Sequence, residues 1–299
     1  MKDALRAKSE FGRREVYMYN PEQIKNFYNN YGMREWERLD LTAYDRINYH
    51  LHRHFLQGHI GKDKKVLDAG CGAGRFSIAI AQSGSEVTLL DISDEQINIA
   101  RNKILESGLS SRVSNFIVGD LCEMSMIEDE TFDTTVCYGA ALNYLLDNLS
   151  KGVSELVRVT KRGGTILISV NSKWGVIHSL LGRENFDILD FFGRPDYWYI
   201  DKVVDTGELP QHPGVSHPPR HFFDAKEIRE ILHKAGLKHI VLGSSPCLTA
   251  GFRSKVELLE KDNEAWKTII RLEEKSYCLP TMLDYGEFLL AKGVKEKEW

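Results

Sequence analysis

The chain has 299 residues, 42% hydrophobic and 27% charged, with a formal net charge of −4. That balance suits a globular protein with a sizeable core. The acidic sum, with no dense Lys/Arg run interleaved with aromatics, argues against a nucleic-acid partner. Five cysteines (Cys71, Cys122, Cys137, Cys247 and Cys278) without CxxC spacing predict reduced thiols in a cytoplasmic protein.

The first fifteen residues carry Lys2, Asp3, Arg6, Lys8, Glu10, Arg13, Arg14 and Glu15 where a signal peptide needs an apolar stretch. Runs such as Ile166 to Val170 are strand-length, so no membrane segment is expected. Asn20 can cap a helix with Pro21 at its first position, and Ile24, Phe27, Tyr28 and Tyr31 recur at helical spacing. A second helix is predicted over Thr42 to Gly58, with Tyr44, Ile47, Leu51 and Phe55 on one face.

Strand and helix patterns then alternate, which predicts a parallel sheet. Lys65 to Asp68 is the first strand, a glycine turn follows, and Phe76 to Ala81 is a short helix closed by Gly84. Glu86 to Asp91 is the second strand. Ser93 and Gln96 predict a capping box for a helix to about Ser107. Further strands are expected at Ser114 to Val118, near Phe132 to Tyr138, and at Thr165 to Val170, with a helix at Asn148 to Thr160 before the last of these. From Asn171 to Phe222 periodicity gives way to aromatics, Gly, Pro and His, an expected insertion or lid. A helix near Asp224 to Ala235, a strand near His239 to Gly243, a helix over Val256 to Ser276 and a strand near Glu287 to Ala291 complete the prediction.

The sharpest local pattern is Val66-Leu67-Asp68 running into Gly70, Gly72 and Gly74. A strand turning sharply into a helix is expected to present backbone N–H groups to a ligand, and glycines permit close approach. A dinucleotide fingerprint is GxGxxG; here the third glycine comes one residue early and an acid precedes the first by two, giving DxGxGxG. A carboxylate so near the turn would repel a pyrophosphate, which ranks NAD and FAD lower. Asp91 ends the second strand, placed to accept ribose hydroxyls, with Ile92 beside it for adenine. Asp120, followed by Leu121, ends the third, so three acids fall on one carboxyl edge of the sheet.

These motifs resemble the class I S-adenosylmethionine (SAM)-dependent methyltransferases, strongly from about Lys65 to Asn171. The resemblance implies an α/β, Rossmann-like, seven-stranded and mostly parallel sheet with helices on both faces. It implies SAM as cofactor, with Asp68 and the Gly70 to Gly74 backbone at its amino-acid end and Asp120 accepting the adenine amine. It also implies that the loop after strand four, Tyr138 to Tyr144, borders sulfonium and substrate, with Tyr138 a cofactor contact. No Asn/Asp-Pro-Pro-Tyr sequence is present, which disfavours methyltransferases of DNA bases and protein amides. The N-terminal section resembles the family's covering helix, with Tyr28 and Arg38 expected on the cofactor and Tyr31 on the substrate; Arg38 could pair with the methionine carboxylate.

The expected organisation is an N-terminal helical cap (1–60), a SAM-binding core (61–171), a substrate-covering insertion (172–223) and a C-terminal completion of the core (224–299). Asn143, Trp174, His178 and Phe222 are further candidate substrate contacts, and Phe186, Phe191, Phe192, Tyr197, Trp198 and Tyr199 could cover the acceptor. His221 or Tyr144 is the candidate base; His212 and His217 share the Pro-rich loop with His221. His50 and His54 stand one helical turn apart, but with no nearby HEXXH glutamate or cysteine partner a surface or interface helix is expected and no metal. The leading reading is methyl transfer to an O, N, S or C nucleophile of a small molecule. Its rivals are an enzyme that cleaves or cyclises SAM, releasing methylthioadenosine, and a non-catalytic SAM-binding protein. Acceptor and oligomeric state are left open.

Overall fold

In the computed structural model of the chain, residues 17–182, 198–211 and 217–297 are described. The side chains of Phe186, Phe191, Phe192, Tyr197, Trp198, Tyr199 and His212 lie outside the described part. The cap begins with α1 (Pro21–Tyr31), where the Asn20 side chain accepts from the Gln23 N–H at 3.0 Å and Pro21 needs no partner for its nitrogen. A single turn, α2 (Arg34–Glu37), and the longer α3 (Ala43–Leu56) follow.

The core alternates as the sequence predicts: β1 (Lys65–Ala69), α4 (Arg75–Gln82), β2 (Glu86–Asp91), α5 (Asp94–Glu106), β3 (Val113–Val118), β4 (Phe132–Cys137), α6 (Leu149–Val159) and β5 (Thr160–Asn171). Strand five starts earlier than expected, because Lys161 to Gly164 stays in the ladder across a register shift opposite Phe132 and Thr134. After α7 (Lys173–Leu181), α8 (Trp198–Thr206), β6 (Glu208–Leu209) and β7 (Arg220–His221) come α9 (Ala225–Lys234) and β8 (Leu237–Ser245). The helix expected over Val256 to Ser276 is two, α10 (Arg253–Glu260) and α11 (Asn263–Ser276). Asp262 caps the second by accepting from the Ala265 N–H, which restarts the chain in a new direction. The last strand is β9 (Phe288–Lys295).

The main sheet has seven strands in the order β3-β2-β1-β4-β5-β9-β8. All neighbours are parallel except at β9, which runs antiparallel to both β5 and β8. Each strand feeds both faces by period-two alternation. Val66, Leu89, Val136, Leu167 and Leu290 pack with Phe55, Phe76 and Ile97 of α3, α4 and α5. Their neighbours Leu67, Leu90, Cys137, Ile166 and Leu289 pack with Val153, Leu156, Ile228 and Leu232 of α6 and α9. Helices therefore cover both faces. On the outer side of α3, Tyr44, Ile47 and Leu51 meet Val256 of α10 and Trp266, Ile269 and Ile270 of α11, fastening cap to C-terminus.

The insertion carries its own small apolar cluster of Val203, Leu209 and Phe222 with Val176 and Ile200, closed by the two-stranded β6–β7 ladder. Among the described residues no helix is long and apolar enough to cross a membrane.

Candidate functional site

Strand order reverses between β1 and β4, and open α/β sheets bind ligands at the carboxyl edge of such a switch point. A cleft of about 820 Å³, partly open to solvent, lies there. Its floor comes from the ends of successive strands: Asp68 and Gly70 to Ala73 after β1, Asp91 and Ile92 after β2, Gly119 and Leu121 after β3, and Tyr138, Gly139, Ala141 and Tyr144 after β4. The cap supplies the roof through Tyr19, Ile24, Tyr28, Glu35, Arg38 and Leu39.

The turn itself corrects one expectation. The N–H groups of Gly70 and Cys71 donate to Leu90 O (2.7 and 3.0 Å), Gly74 donates to Cys71 O (3.0 Å), and Gly72 donates to Asp91 Oδ2 (2.8 Å). These four donors are consumed within the protein, so they build no anion nest. What the turn offers a ligand is close approach. Gly70 sits at φ +74, and a Cβ there would lie 2.8 Å from that of Ala141; a Cβ on Gly72, at φ +51, would lie 3.1 Å from Cγ of Glu35.

Asp68 is 1% exposed and accepts from the Ser77 hydroxyl at 2.5 Å. Burial pushes its carboxyl up to about 7 against that hydrogen bond, with the Asp91 charge adding to the rise. Asp91 is pushed up to about 6 by burial, restrained by the N–H groups of Ser93 (2.9 Å, to Oδ1) and Gly72. A carboxylate accepts about four hydrogen bonds, so Asp91 retains capacity toward the cleft. Ser93 is the cap of α5, accepting from the Gln96 N–H at 3.1 Å. Gln96 does not complete the box. Its Nε2 donates instead to Tyr28 O and Gly32 O, both at 3.0 Å, tying the cap to the core.

Asp120 does not line the cleft. Its Oδ1 accepts from the Tyr19 hydroxyl and from the Cys122 N–H, each at 2.7 Å, and Tyr19 stands in the wall in its place. Arg38 donates from Nε to Glu35 Oε1 at 2.8 Å, with Nη2 2.6 Å from the same oxygen, and this ion pair faces the turn. The Glu35 charge raises the Arg38 pKa despite burial, keeping the guanidinium charged.

Away from the glycine turn, the Tyr28 hydroxyl donates to Tyr144 Oη at 3.2 Å, and Tyr144 Oη lies 3.1 Å from Nδ1 of His217. Phe27 and Tyr31 stack on each other (5.5 Å, 21°) and close around the His217 ring at 4.7 and 6.2 Å. Burial, then the Arg220 and Arg38 charges, press the His217 imidazole down to about 4, so it is neutral at pH 7.

Several expected substrate contacts lie elsewhere. His221 is not in the cleft lining: its Nε2 is 2.7 Å from Glu227 Oε1 and its ring meets Phe223 edge-on. Asn143 is fully buried and structural, donating to His221 O (2.5 Å) and accepting from the Asn171 N–H (3.2 Å). Phe222 is 2% exposed inside the insertion's own cluster. Trp174 is on the outer surface, and His178 packs against Tyr285 at 4.1 Å. The residues missed by sequence reasoning are Tyr19, Glu35 and His217. His217 is one of three histidines in the Pro-rich loop, and no periodicity there marks its contact with Tyr144.

A family profile described as "Methyltransferase domain" matches residues 66–164, the stretch that builds the cleft floor. The chain is 29% identical over 197 residues to the "Putative methyltransferase YqeM" of Bacillus subtilis, covering 62% of this chain and 77% of that one. It is 34% identical over 147 residues to a malonyl-[acyl-carrier protein] O-methyltransferase of Pectobacterium atrosepticum, covering 49% of this chain and about half (53%) of the relative. Among solved structures, a putative methyltransferase in complex with the Haloferax volcanii Trm112 methyltransferase activator shares the fold at TM-score 0.56 and 17% identity, over 92% of this chain and 99% of that one. Strand order, glycine turn, strand-end acids and these likenesses agree, and the chain belongs to the class I SAM-dependent methyltransferases.

Proposed function

We propose that the chain transfers a methyl group from SAM to a nucleophilic atom of a small molecule held at the Tyr28–Tyr144 end of the cleft, with His217 behind Tyr144. The observation that carries this reading is the division of the cleft into two chemistries. One end holds buried acids and the Arg38–Glu35 pair beside the glycine turn; at the other the phenols of Tyr28 and Tyr144 line the wall, and the neutral His217 imidazole backs Tyr144 from outside the lining.

The donor set suits SAM. Asp68 and Asp91 are desolvated carboxyls that gain from a cationic or hydroxyl-bearing ligand. Arg38 can take a carboxylate while Glu35 balances an ammonium. With the N–H groups of Gly70, Cys71, Gly72 and Gly74 consumed internally, the turn gives a pyrophosphate few donors to bind. Asp91 would hold the ribose hydroxyls, with Ile92 and Leu121 on adenine, while Tyr138 would wall the pocket. Asp120 stays behind the wall, holding the Tyr19 hydroxyl that lines the pocket in its place.

When bound, SAM supplies an activated methyl group, so the protein's work is alignment, dryness and proton handling. Tyr28 donates to Tyr144, which leaves the Tyr144 proton directed at Nδ1 of His217. In that arrangement Tyr144 orients the acceptor and His217 takes up the proton it releases. Phe27 and Tyr31 shield this end from water.

The test is calorimetry with SAM and S-adenosylhomocysteine, followed by coproduct analysis with a panel of small hydroxyl, amine, thiol and carbon acceptors. S-adenosylhomocysteine as coproduct supports the reading. Methylthioadenosine, or binding without turnover of any acceptor, overturns it.

A further inference from the structure

On the opposite side of α3 from the sheet the fold assembles a group that the cleft does not use. His50 and His54 are one helical turn apart, and α11 brings Glu274 to them from more than two hundred residues away. Oε1 of Glu274 is 2.8 Å from His50 Nε2 and 3.5 Å from His54 Nδ1, and one ligand atom from each residue falls within 4.8 Å of the others. This is the only such cluster of three among the described residues.

We propose that His50, His54 and Glu274 bind a divalent transition-metal ion of the zinc type. Two imidazoles and one carboxylate are a ligand set that zinc accepts, and tetrahedral coordination at about 2.0 Å sets neighbouring ligand atoms roughly 3.3 Å apart. The observed separations bracket that value. The rings are also held for it: they lie nearly parallel (19°, centroids 6.3 Å apart), and His54 meets Tyr277 edge-on at 5.6 Å. Each side chain is about one-third exposed, at 40, 33 and 31% for His50, His54 and Glu274, so water can complete the coordination sphere. Imidazole donors select zinc, nickel or copper over magnesium and calcium.

The position gives the ion a consequence. The same two helices already meet through Ile47, Leu51, Ile269 and Ile270. An ion joining His50 and His54 to Glu274 would pin the cap, which roofs the cleft, to the C-terminal helix. Without an ion the same residues make His–Glu contacts, and the experiment must separate the two.

The full-length protein, stripped with chelator and dialysed, is titrated with zinc sulfate and separately with magnesium chloride by calorimetry, with thermal melts alongside. One zinc per chain and a raised melting temperature are expected, with no magnesium signal. Loss of an outer-shell partner typically weakens a metal site about 10–100-fold. His50→Ala/His54→Ala, and independently the shape-preserving Glu274→Gln, should lose at least that much zinc affinity and the thermal shift. Circular dichroism checks that each variant folds. Zinc affinity unchanged in the folded variants, no zinc binding by the parent protein, or equal binding of magnesium would overturn the proposal.

Discussion

Tyr144 and His217 meet at the cleft wall, the phenol oxygen of the lining residue Tyr144, from the loop after β4, lying 3.1 Å from Nδ1 of His217 behind it. The contact joins the loop at a strand end to a segment of weak pattern, and under the proposed reading it is where the acceptor's proton is handled. General-base catalysis typically contributes about 100 to 10,000-fold. Tyr144→Phe and His217→Ala should each lower kcat by at least the smaller factor once an acceptor is in hand, while S-adenosylhomocysteine affinity by calorimetry stays within about twofold. His221→Ala should leave kcat nearly intact, since its ring is held by Glu227 and Phe223. The reverse result, turnover lost with His221 and kept without His217, would return the proton to His221.

Cofactor affinity should depend on pH through the acids beneath the glycine turn. Asp68 titrates at about 7 and Asp91 at about 6, so both are partly protonated in mildly acidic solution. A ligand carrying a sulfonium and an ammonium favours the ionised forms, so its binding expels protons. SAM affinity is therefore expected to rise as pH increases from about 6 to 8. Calorimetry in buffers of different ionisation enthalpy should register proton release, and Asp68→Asn should remove most of it. Arg38→Met should weaken SAM binding by about 1.5–3 kcal/mol, the range for a hydrogen bond to a charged group.

Gly70→Ala tests the turn's geometry. A non-glycine residue in the left-handed region costs about 1–2 kcal/mol, and here the new methyl would also press on Ala141 from 2.8 Å. The Ala141 loop carries Tyr144, so relief of the clash would disturb the Tyr144 side of the cleft too. The expected result is a lower melting temperature together with weaker SAM binding. Normal affinity at reduced stability would mean that the loop yields without moving the site.

Elements whose sequence pattern is local were legible. Asp68, Gly70, Gly72 and Gly74 carry both the turn and the family. The caps at Asn20 and Ser93 and the helix expected near Asp224 mark helix starts that the structure reproduces. Contacts between distant segments were not. Nothing beside His50 announces Glu274, nothing beside Asp120 announces Tyr19, and Asp262 breaks a helix that apolar periodicity carried through. Asp91 and Asn143 show a subtler limit. Their residue types were legible, but how far backbone N–H groups engage Asp91 and backbone groups occupy Asn143 depends on chain geometry.

His52 gives a prediction for stability. It lies at 2% exposure among Phe76, Tyr138 and Phe288, with Nδ1 donating to Asn48 O at 2.9 Å. Burial presses its imidazole down to about 4, with the Arg38 charge adding to the fall and the Asn48 bond opposing it. In the unfolded chain a histidine titrates near 6.5, so between about pH 6.5 and 4 the unfolded state binds a proton that the folded state refuses. The His52 contribution is intact above that window and falls by about 1.4 kcal/mol per pH unit within it, about 3 kcal/mol in all. Asp68 and Asp91, raised on folding, act with the opposite sign as pH falls, which flattens the total curve. The His52 share is isolated by comparing urea unfolding of the parent protein and His52→Leu at a series of pH values. The parent's stability relative to the variant should shrink steadily from pH 6.5 to 4. A constant difference would mean that His52 takes up its proton inside the folded core.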